Sequence, residues 1–231
     1  MEFLPHGLTL ELPKGAFPLS TDSMLLAHYA RLPRNAHVLD LGSGCGTLGL
    51  LLCDKDKTCV VTGLEISESA HRGALENIRR NQLESRLGSI CRDLRDLPTD
   101  LHDSFHCCVS NPPYFSGGPS SVTTPIARRD DCCCPDDLFR AAAKALKYGG
   151  DFFLVHKPEK LAQLIVCGAA VALEAKNLTL VRHKEGGPIA LILMQFKKGG
   201  KPGMQLHERC LFDALGNPTA YYKGVYHIQG D

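Results

Sequence analysis

Val38-Leu39-Asp40-Leu41 runs without a break into Gly42-Ser43-Gly44-Cys45-Gly46, and no other segment limits the fold of this chain as tightly. A short β-type run, a glycine turn and then a helical stretch form the first part of a βαβ unit. Such units build parallel sheets with helical crossovers. Glycine lets the backbone take positive φ and come close to a ligand. In open α/β sheets the ligand sits outside the carboxyl ends of the strands, where this turn lies.

The rest of the chain alternates in the same way. Residues 37–41 read as a strand and 46–53 as a helix. Residues 58–65 are β-branched and apolar. Over 67–82 the spacing of Ala70, Ala74, Leu75 and Ile78 predicts a helix, with Ser67 as its N-cap. Strands follow at 86–91 and 105–110, then an amphipathic helix over 135–148 ended by Gly149-Gly150. Residues 151–155 are strand, 158–173 helix, and 178–183 and 189–196 two strands joined without a helix. Near the start, 19–32 reads as a helix with Thr21 where an N-cap belongs and Asp22 well placed for the helix dipole. This order argues for an α/β protein with an open, mostly parallel sheet and helices on both faces. The closing hairpin implies one antiparallel strand at or near an edge. The loop over 115–131 is long and rich in Gly, Pro, Ser and Thr, as lids are.

Composition excludes several classes. The 231 residues suffice for one α/β domain. Hydrophobic residues at 44% and charged residues at 22% are ordinary for a soluble protein. No apolar run approaches the roughly 20 residues that span a bilayer, and the first residues do not form a signal peptide, so a cytosolic protein without a membrane partner is expected. Eleven cysteines, an odd number in a chain this long, argue against a disulfide framework. Cys132-Cys133-Cys134 lacks the spacing and histidine partners of a zinc site, so no metal is expected. A net charge of +1 does not point to nucleic acid globally.

Two acids extend the glycine turn into a pocket for a nucleoside-bearing cofactor. Glu65 ends the next strand, in the position roughly 20 residues on where an acid accepts from a ribose diol. Asp93, followed by Leu94, comes after the third strand and can accept from an adenine amino group. Gly44-x-Gly46-x-x-Gly49 also satisfies the dinucleotide pattern. Asp40 argues against that reading, because a carboxylate there suits an ammonium better than a pyrophosphate.

Asn111-Pro112-Pro113-Tyr114 follows the strand at 105–110. An amino group attached to an aromatic ring is a poor nucleophile, since its lone pair is delocalised. The Asn111 side-chain carbonyl and the Pro112 backbone carbonyl can each accept one of its N–H bonds and aim the lone pair, by positioning and fixed dipoles rather than general-base work. Pro113 stiffens the corner. Tyr114, with Phe115 beside it, offers a face on which a ring stacks, worth about 1–3 kcal/mol per base. A base held this way is unstacked or single-stranded.

These motifs resemble those of class I, Rossmann-like methyltransferases that act on amino groups. More narrowly, the chain resembles the bacterial tRNA-Val adenine N6-methyltransferase family from about Leu12 to Tyr226. The likeness rests on Ser20-Thr21-Asp22-Ser23-Met24-Leu25-Leu26, the turn from Asp40 to Gly46, Glu65, Asp93, Asn111-Pro112-Pro113-Tyr114, Ala127-Arg128-Arg129, the end of the helix before Gly150, and Lys198-Gly199-Gly200-Lys201-Pro202-Gly203. It implies a doubly wound, mostly parallel seven-stranded sheet whose final strand is antiparallel. It implies S-adenosyl-L-methionine as cofactor and an adenine of tRNA beside the anticodon as substrate. Thr21 and Asp22 would line the cofactor pocket with Asp40, Gly42, Gly44, Gly46, Glu65, Asp93, Leu94 and Asn111. Asn111, Pro112 and Tyr114 would carry the chemistry, and Tyr114, Phe115 and Arg128 would hold the substrate. A single domain over 1–231 is expected, with a cofactor and substrate segment at 1–35, the Rossmann-like core at 36–200 and a C-terminal extension at 201–231.

Arg128 and Arg129 follow the catalytic motif, with Asp130 and Asp131 as possible pairing partners. Arg182, Lys184, Lys197, Lys198 and Lys201 cluster around the last two strands in sequence and are candidates for RNA phosphates. Alternatives stay open. Methylation of a glutamine amide in a protein needs the same motif, but the stretch before Val38 is short for the helical domain of such enzymes. Other RNA or DNA amino groups, a binding module without catalysis, and an NAD-linked oxidoreductase are further readings. Intact Asn111 and Asp40 oppose the binding module, and no proton relay supports the oxidoreductase. Monomer and weak dimer are both compatible with the sequence.

Overall fold

The computed structural model describes residues 1–12, 19–113 and 134–228. In chain order these form β1 (Glu2–Phe3), β2 (Thr9–Leu10), α1 (Thr21–Tyr29), β3 (His37–Leu41), α2 (Thr47–Lys55), β4 (Val60–Glu65), α3 (Glu68–Arg80), β5 (Leu87–Cys91) and β6 (Phe105–Ser110). There follow α4 (Pro135–Ala145), β7 (Leu146–His156), α5 (Leu161–Ala170), β8 (Leu173–Lys184), β9 (Ile189–Lys198), β10 (Gln205–Phe212) and α6 (Ala220–Tyr226). One sheet runs in the order β10-β8-β9-β7-β6-β3-β4-β5, and β1 and β2 form a separate hairpin. Strand β9 is antiparallel to both neighbours, β7 and β8, while the other pairings in the large sheet are parallel.

The seven expected strands are all present. The addition is β10 from the C-terminal extension, which pairs parallel to β8 and makes the sheet eight-stranded. Its alternation was masked by charged and polar side chains, since its first five residues lie exposed at the sheet edge.

Strand β3 shows how the two faces are filled. Val38 belongs to the core cluster that includes α1, α2 and Ile78 of α3, whereas Leu39 and Leu41 belong to the cluster on the other side, with α4 and α5. Parallel strands buried on both faces read as continuous apolar runs for this reason. Phe139 of α4 sits edge-on to Phe152 and Phe196, at 5.3 and 4.9 Å between ring centres, and fixes that helix on the sheet.

Three local expectations change. The helix over 135–148 stops at Ala145, where Leu146 N–H donates to the Ala142 carbonyl. Gly149-Gly150 therefore lies inside β7 and not at a helix end. A Cβ on Gly150 would come within 2.9 Å of the His106 carbonyl oxygen, so the pair lets β7 bend against β6 where their register shifts. The helix over 158–173 begins as a single tight turn, Pro158–Lys160, and ends at Ala170; Leu173 is already strand. Finally, the cap of α1 is Ser20, whose Oγ accepts from Ser23 N–H at 3.2 Å, with Thr21 one place inside. Ser67 caps α3 as expected.

Among the described residues no helix is long and apolar enough to cross a membrane.

Candidate active site

The glycine turn hangs from the neighbouring strand. Gly42 N–H and Ser43 N–H both donate to the Leu64 carbonyl, at 2.9 and 3.1 Å. Gly42, Gly44 and Gly46 take φ of +76°, +55° and +83°, a region costly for any residue with a Cβ. A Cβ built on Gly42 or Gly44 would meet nothing within 4 Å, so the turn opens outward on that side. From behind, Asn77 of α3 donates Nδ2–H to the Cys45 carbonyl at 3.1 Å.

The acids differ sharply. Asp40 is 1% exposed beneath the turn. Its Oδ1, like Ser43 Oγ, has no hydrogen-bond partner among the described residues. Burial, with the nearby Glu65 charge, pushes its pKa up to about 8, against a smaller opposing effect of the Gly49 N–H. Glu65 is held by the backbone: Oε2 accepts from Gly44 N–H and Oε1 from Ser67 N–H, both at 2.8 Å. Each oxygen keeps a second lone pair. Asp93 is engaged by Arg95, whose Nε and Nη2 reach Oδ2 at 2.9 and 2.5 Å while its backbone N–H reaches Oδ1 at 2.8 Å. Those bonds hold the Asp93 carboxyl below its ordinary pKa. Leu94 beside it packs on the α4 side of the sheet.

The Asn111 corner adjoins this turn. Ser110 Oγ donates to the Leu41 carbonyl at 2.7 Å, which ties the end of β6 to the residue just before Gly42. Asn111 is half-buried, Pro112 buried and Pro113 exposed. Asn111 Nδ2–H donates to Ser23 Oγ of α1 at 3.0 Å. In the same first turn of α1, Thr21 Oγ1 accepts from Tyr226 O–H of α6 at 3.1 Å. Asp22 has its carboxyl pKa raised by burial, an effect opposed by the Lys157 charge. His156, buried at the end of β7, accepts the Lys157 N–H at Nδ1 and is pushed down to about 4 by burial, so it is neutral at pH 7.

The structure thus gathers the glycine turn, Asp40, Glu65, the start of α1 and Asn111 at the carboxyl ends of β3, β4 and β6. Tyr114, Phe115, Arg128, Arg129, Asp130, Asp131, Cys132 and Cys133, together with the expected lid, lie outside the described residues. Among the described residues no group of His, Cys, Asp or Glu is arranged to hold a metal.

The basic cluster of the last two strands is divided. Pairing of Leu173 with Lys198 and of Arg182 with Ile189 puts Lys197 and Lys198 at one end of the sheet and Arg182 and Lys184 at the other, roughly 30 Å away at about 3.3 Å per residue. Several are also paired: Arg182 with Glu208, Lys197 with Asp151, Lys198 with Asp103. Arg182 and Lys184 sit beside the hairpin turn, and the extended length of β9 carries Lys197 and Lys198 to its open end.

Asn77 and Tyr226 bond to the site without being singled out in the sequence, and Ser23 stands there only as part of the segment 20–26, with no role of its own. Asn77 carried a usable signal, a buried polar residue on the apolar face shared by Ala74 and Ile78.

A family model described as methyltransferase small domain matches residues 19–177. The chain belongs to that family. A tRNA1(Val) (adenine(37)-N6)-methyltransferase of Actinobacillus pleuropneumoniae serotype 5b (strain L20) is 27% identical over 212 residues, covering 91% of this chain and 89% of that protein. One of the same description from Bacteroides fragilis (strain ATCC 25285) is 30% identical over 187 residues, covering 79% and 78%. Among solved structures, a predicted O-methyltransferase from Agrobacterium tumefaciens superposes with a TM-score of 0.72 at 20% identity, over 90% of this chain and 96% of its own. A geranyl diphosphate methyltransferase solved in complex with S-adenosylmethionine superposes at 0.57 and 13% identity, over 78% and 85%. The class I methyltransferase fold of the chain is the one these structures share.

Proposed function

We propose that this methyltransferase, with S-adenosylmethionine as its cofactor, modifies the exocyclic N6 of an adenine in tRNA, in tRNA-Val beside the anticodon, and works in the cytoplasm. The residues fit the cofactor. An orphaned, buried Asp40 oxygen beneath an open glycine turn suits an ammonium group, and Glu65 at the end of β4 has lone pairs to spare for a ribose diol. S-adenosylmethionine supplies an electrophilic methyl carbon on a sulfonium. Methyl transfer breaks the sulfur–carbon bond, forms a nitrogen–carbon bond and releases one amine proton to solvent.

The chain's own part is orientation. Asn111 Oδ1 and the Pro112 carbonyl accept the two N–H bonds of the amine, which directs its lone pair toward the methyl carbon. Tyr114 and Phe115 stack the ring, and Thr21 and Asp22 border the cofactor. Asp93, already clamped by Arg95, meets an adenine only through its remaining lone pairs.

The observation that carries this reading is the Asn111 bond to Ser23. With the nitrogen of the amide occupied, the oxygen is the end left for an amine, beside the glycine turn. The names of the two relatives support tRNA as the substrate. The test is digestion and mass analysis of tRNA incubated with the purified protein and labelled S-adenosylmethionine. Label in N6-methyladenosine is expected. Label only in protein would replace this reading with glutamine-amide methylation.

A further inference from the structure

A side-chain amide is nearly symmetric in shape and opposite in polarity at its two ends. A half-turn of the Asn111 amide exchanges its acceptor for two donors. An amine substrate can use only the oxygen end; the flipped amide would set N–H against N–H. Something must therefore hold the amide one way round, and the glycine turn does not do so. The group in contact with Nδ2 is Ser23 Oγ, at 3.0 Å, from a helix 88 positions earlier in the chain.

Ser23 is 6% exposed, so water does not compete for its hydroxyl. Its oxygen is already polarised. Ser20 Oγ uses a lone pair to accept Ser23 N–H at 3.2 Å, as helix caps do. The Ser20 hydroxyl proton is directed at Ser23 Oγ, also at 3.2 Å. Ser23 Oγ then stands as an acceptor between two donors, Ser20 O–H and Asn111 Nδ2–H. The backbone beneath Asn111 is pinned separately by Ser110 to Leu41.

We propose that Ser23 is a positioning residue for methyl transfer: it fixes the Asn111 amide with Oδ1 toward the substrate amine, and Ser20 sets the polarity of that bond. The inference rests on the amino-methylation reading above. It makes the cap of α1 serve two ends, closing the helix and orienting the reacting corner.

The test compares wild type, Ser23→Ala, Ser23→Thr, Asn111→Ala and the Ser23→Ala/Asn111→Ala double variant, with tRNA and labelled S-adenosylmethionine. Ser23→Ala should lower kcat about 10- to 100-fold, the scale of a misplaced reacting group. Its cofactor Kd should change by less than about twofold, because the cofactor half of the site does not use this bond. Ser23→Thr, which keeps the hydroxyl, should recover most of the rate. Adding Ser23→Ala to Asn111→Ala should cost nothing further, since there is no amide left to orient. A wild-type rate in Ser23→Ala would overturn the proposal. So would an equal loss in the Asn111→Ala background, which would mark Ser23 as a general packing residue.

If Ser23→Ala fails to fold, Ser20→Ala tests the same chain of bonds, with a smaller loss of kcat expected and an unchanged kcat contradicting it. A wild type that methylates no tRNA would remove the substrate reading alone. The Asn111 side-chain amide signals in NMR would still report the bond, by slower proton exchange in wild type than in Ser23→Ala; equal exchange would overturn it.

Discussion

The two halves of the site are built on different plans. The half proposed for the cofactor is made mainly by neighbours in sequence, β3, its glycine turn and the end of β4, with backbone N–H groups holding both Glu65 oxygens and the first turn of α1 proposed at its border. The Asn111 half is assembled from three distant segments, the end of β6, the first turn of α1 and, through Tyr226, the C-terminal helix α6. A turn made of backbone depends on a few φ angles and on the two acids, Asp40 and Glu65, set beneath and beside it. A corner made of side chains from separate helices depends on single hydrogen bonds. Substitutions should therefore split cleanly between loss of cofactor and loss of turnover.

The largest effect belongs to the corner. Asn111→Ala should cut turnover by about 10²- to 10³-fold, the scale of losing one fixed dipole at the reacting atom. Calorimetric titration should find its cofactor affinity nearly unchanged. Loss of cofactor binding instead would merge the two halves and end the comparison.

Asp40 tests the other half. Asp40→Ala should weaken cofactor binding about tenfold or more, as expected for a lost charge-assisted contact, and an unchanged Kd would remove Asp40 from the pocket. Its raised pKa adds a sign. The ordinary value is near 4 and the folded value about 8. Whatever stability Asp40 allows is full below pH 4 and is lost as pH rises through 8. Asp40→Asn avoids that loss, so thermal melts of the two proteins should coincide near pH 4 and the variant should melt higher at pH 8. A gap of the same size at both values would contradict the burial argument.

Gly44→Ala is a smaller and sharper probe. Positive φ should cost about 1 kcal/mol of stability, while the new methyl projects into the open side of the turn. Cofactor Kd should therefore loosen by more than the drop in melting temperature accounts for. Parallel losses would mean that the turn does not face the cofactor.

The smallest effect is expected at Tyr226→Phe, which removes the hydroxyl that binds Thr21. Denaturant unfolding should show about 0.5–1.5 kcal/mol lost, with turnover reduced severalfold at most. An effect as large as that of Asn111→Ala would assign α6 a direct role.

The same division explains what could be read from the chain. Strand, turn and acid are contiguous at 38–46, and strand and acid again at 60–65, so periodicity and turn chemistry made these strands and the glycine turn legible. Ser67 could be read as a cap because its partner, Ala70, is three residues away. Ser23 could not be read as a partner of Asn111, because nothing local connects them. Gly149-Gly150 was misleading for a related reason: a glycine pair after a helical stretch looks like a stop signal, and only the approach of His106 from β6 shows that it is a bend. The basic group of the last two strands divides because the extended length of β9 lies between Arg182 and Lys184 at the turn and Lys197 and Lys198 at the open end.

The central claim is that Asn111 presents its oxygen, and not its nitrogen, to an amine beside the glycine turn. A crystal structure with S-adenosylhomocysteine and an adenosine-bearing RNA tests it directly. The account predicts the adenine amino group bonded to Asn111 Oδ1 and the Pro112 carbonyl, with Nδ2 still on Ser23. An amino group placed elsewhere, or an amide turned with Nδ2 toward the base, would contradict it.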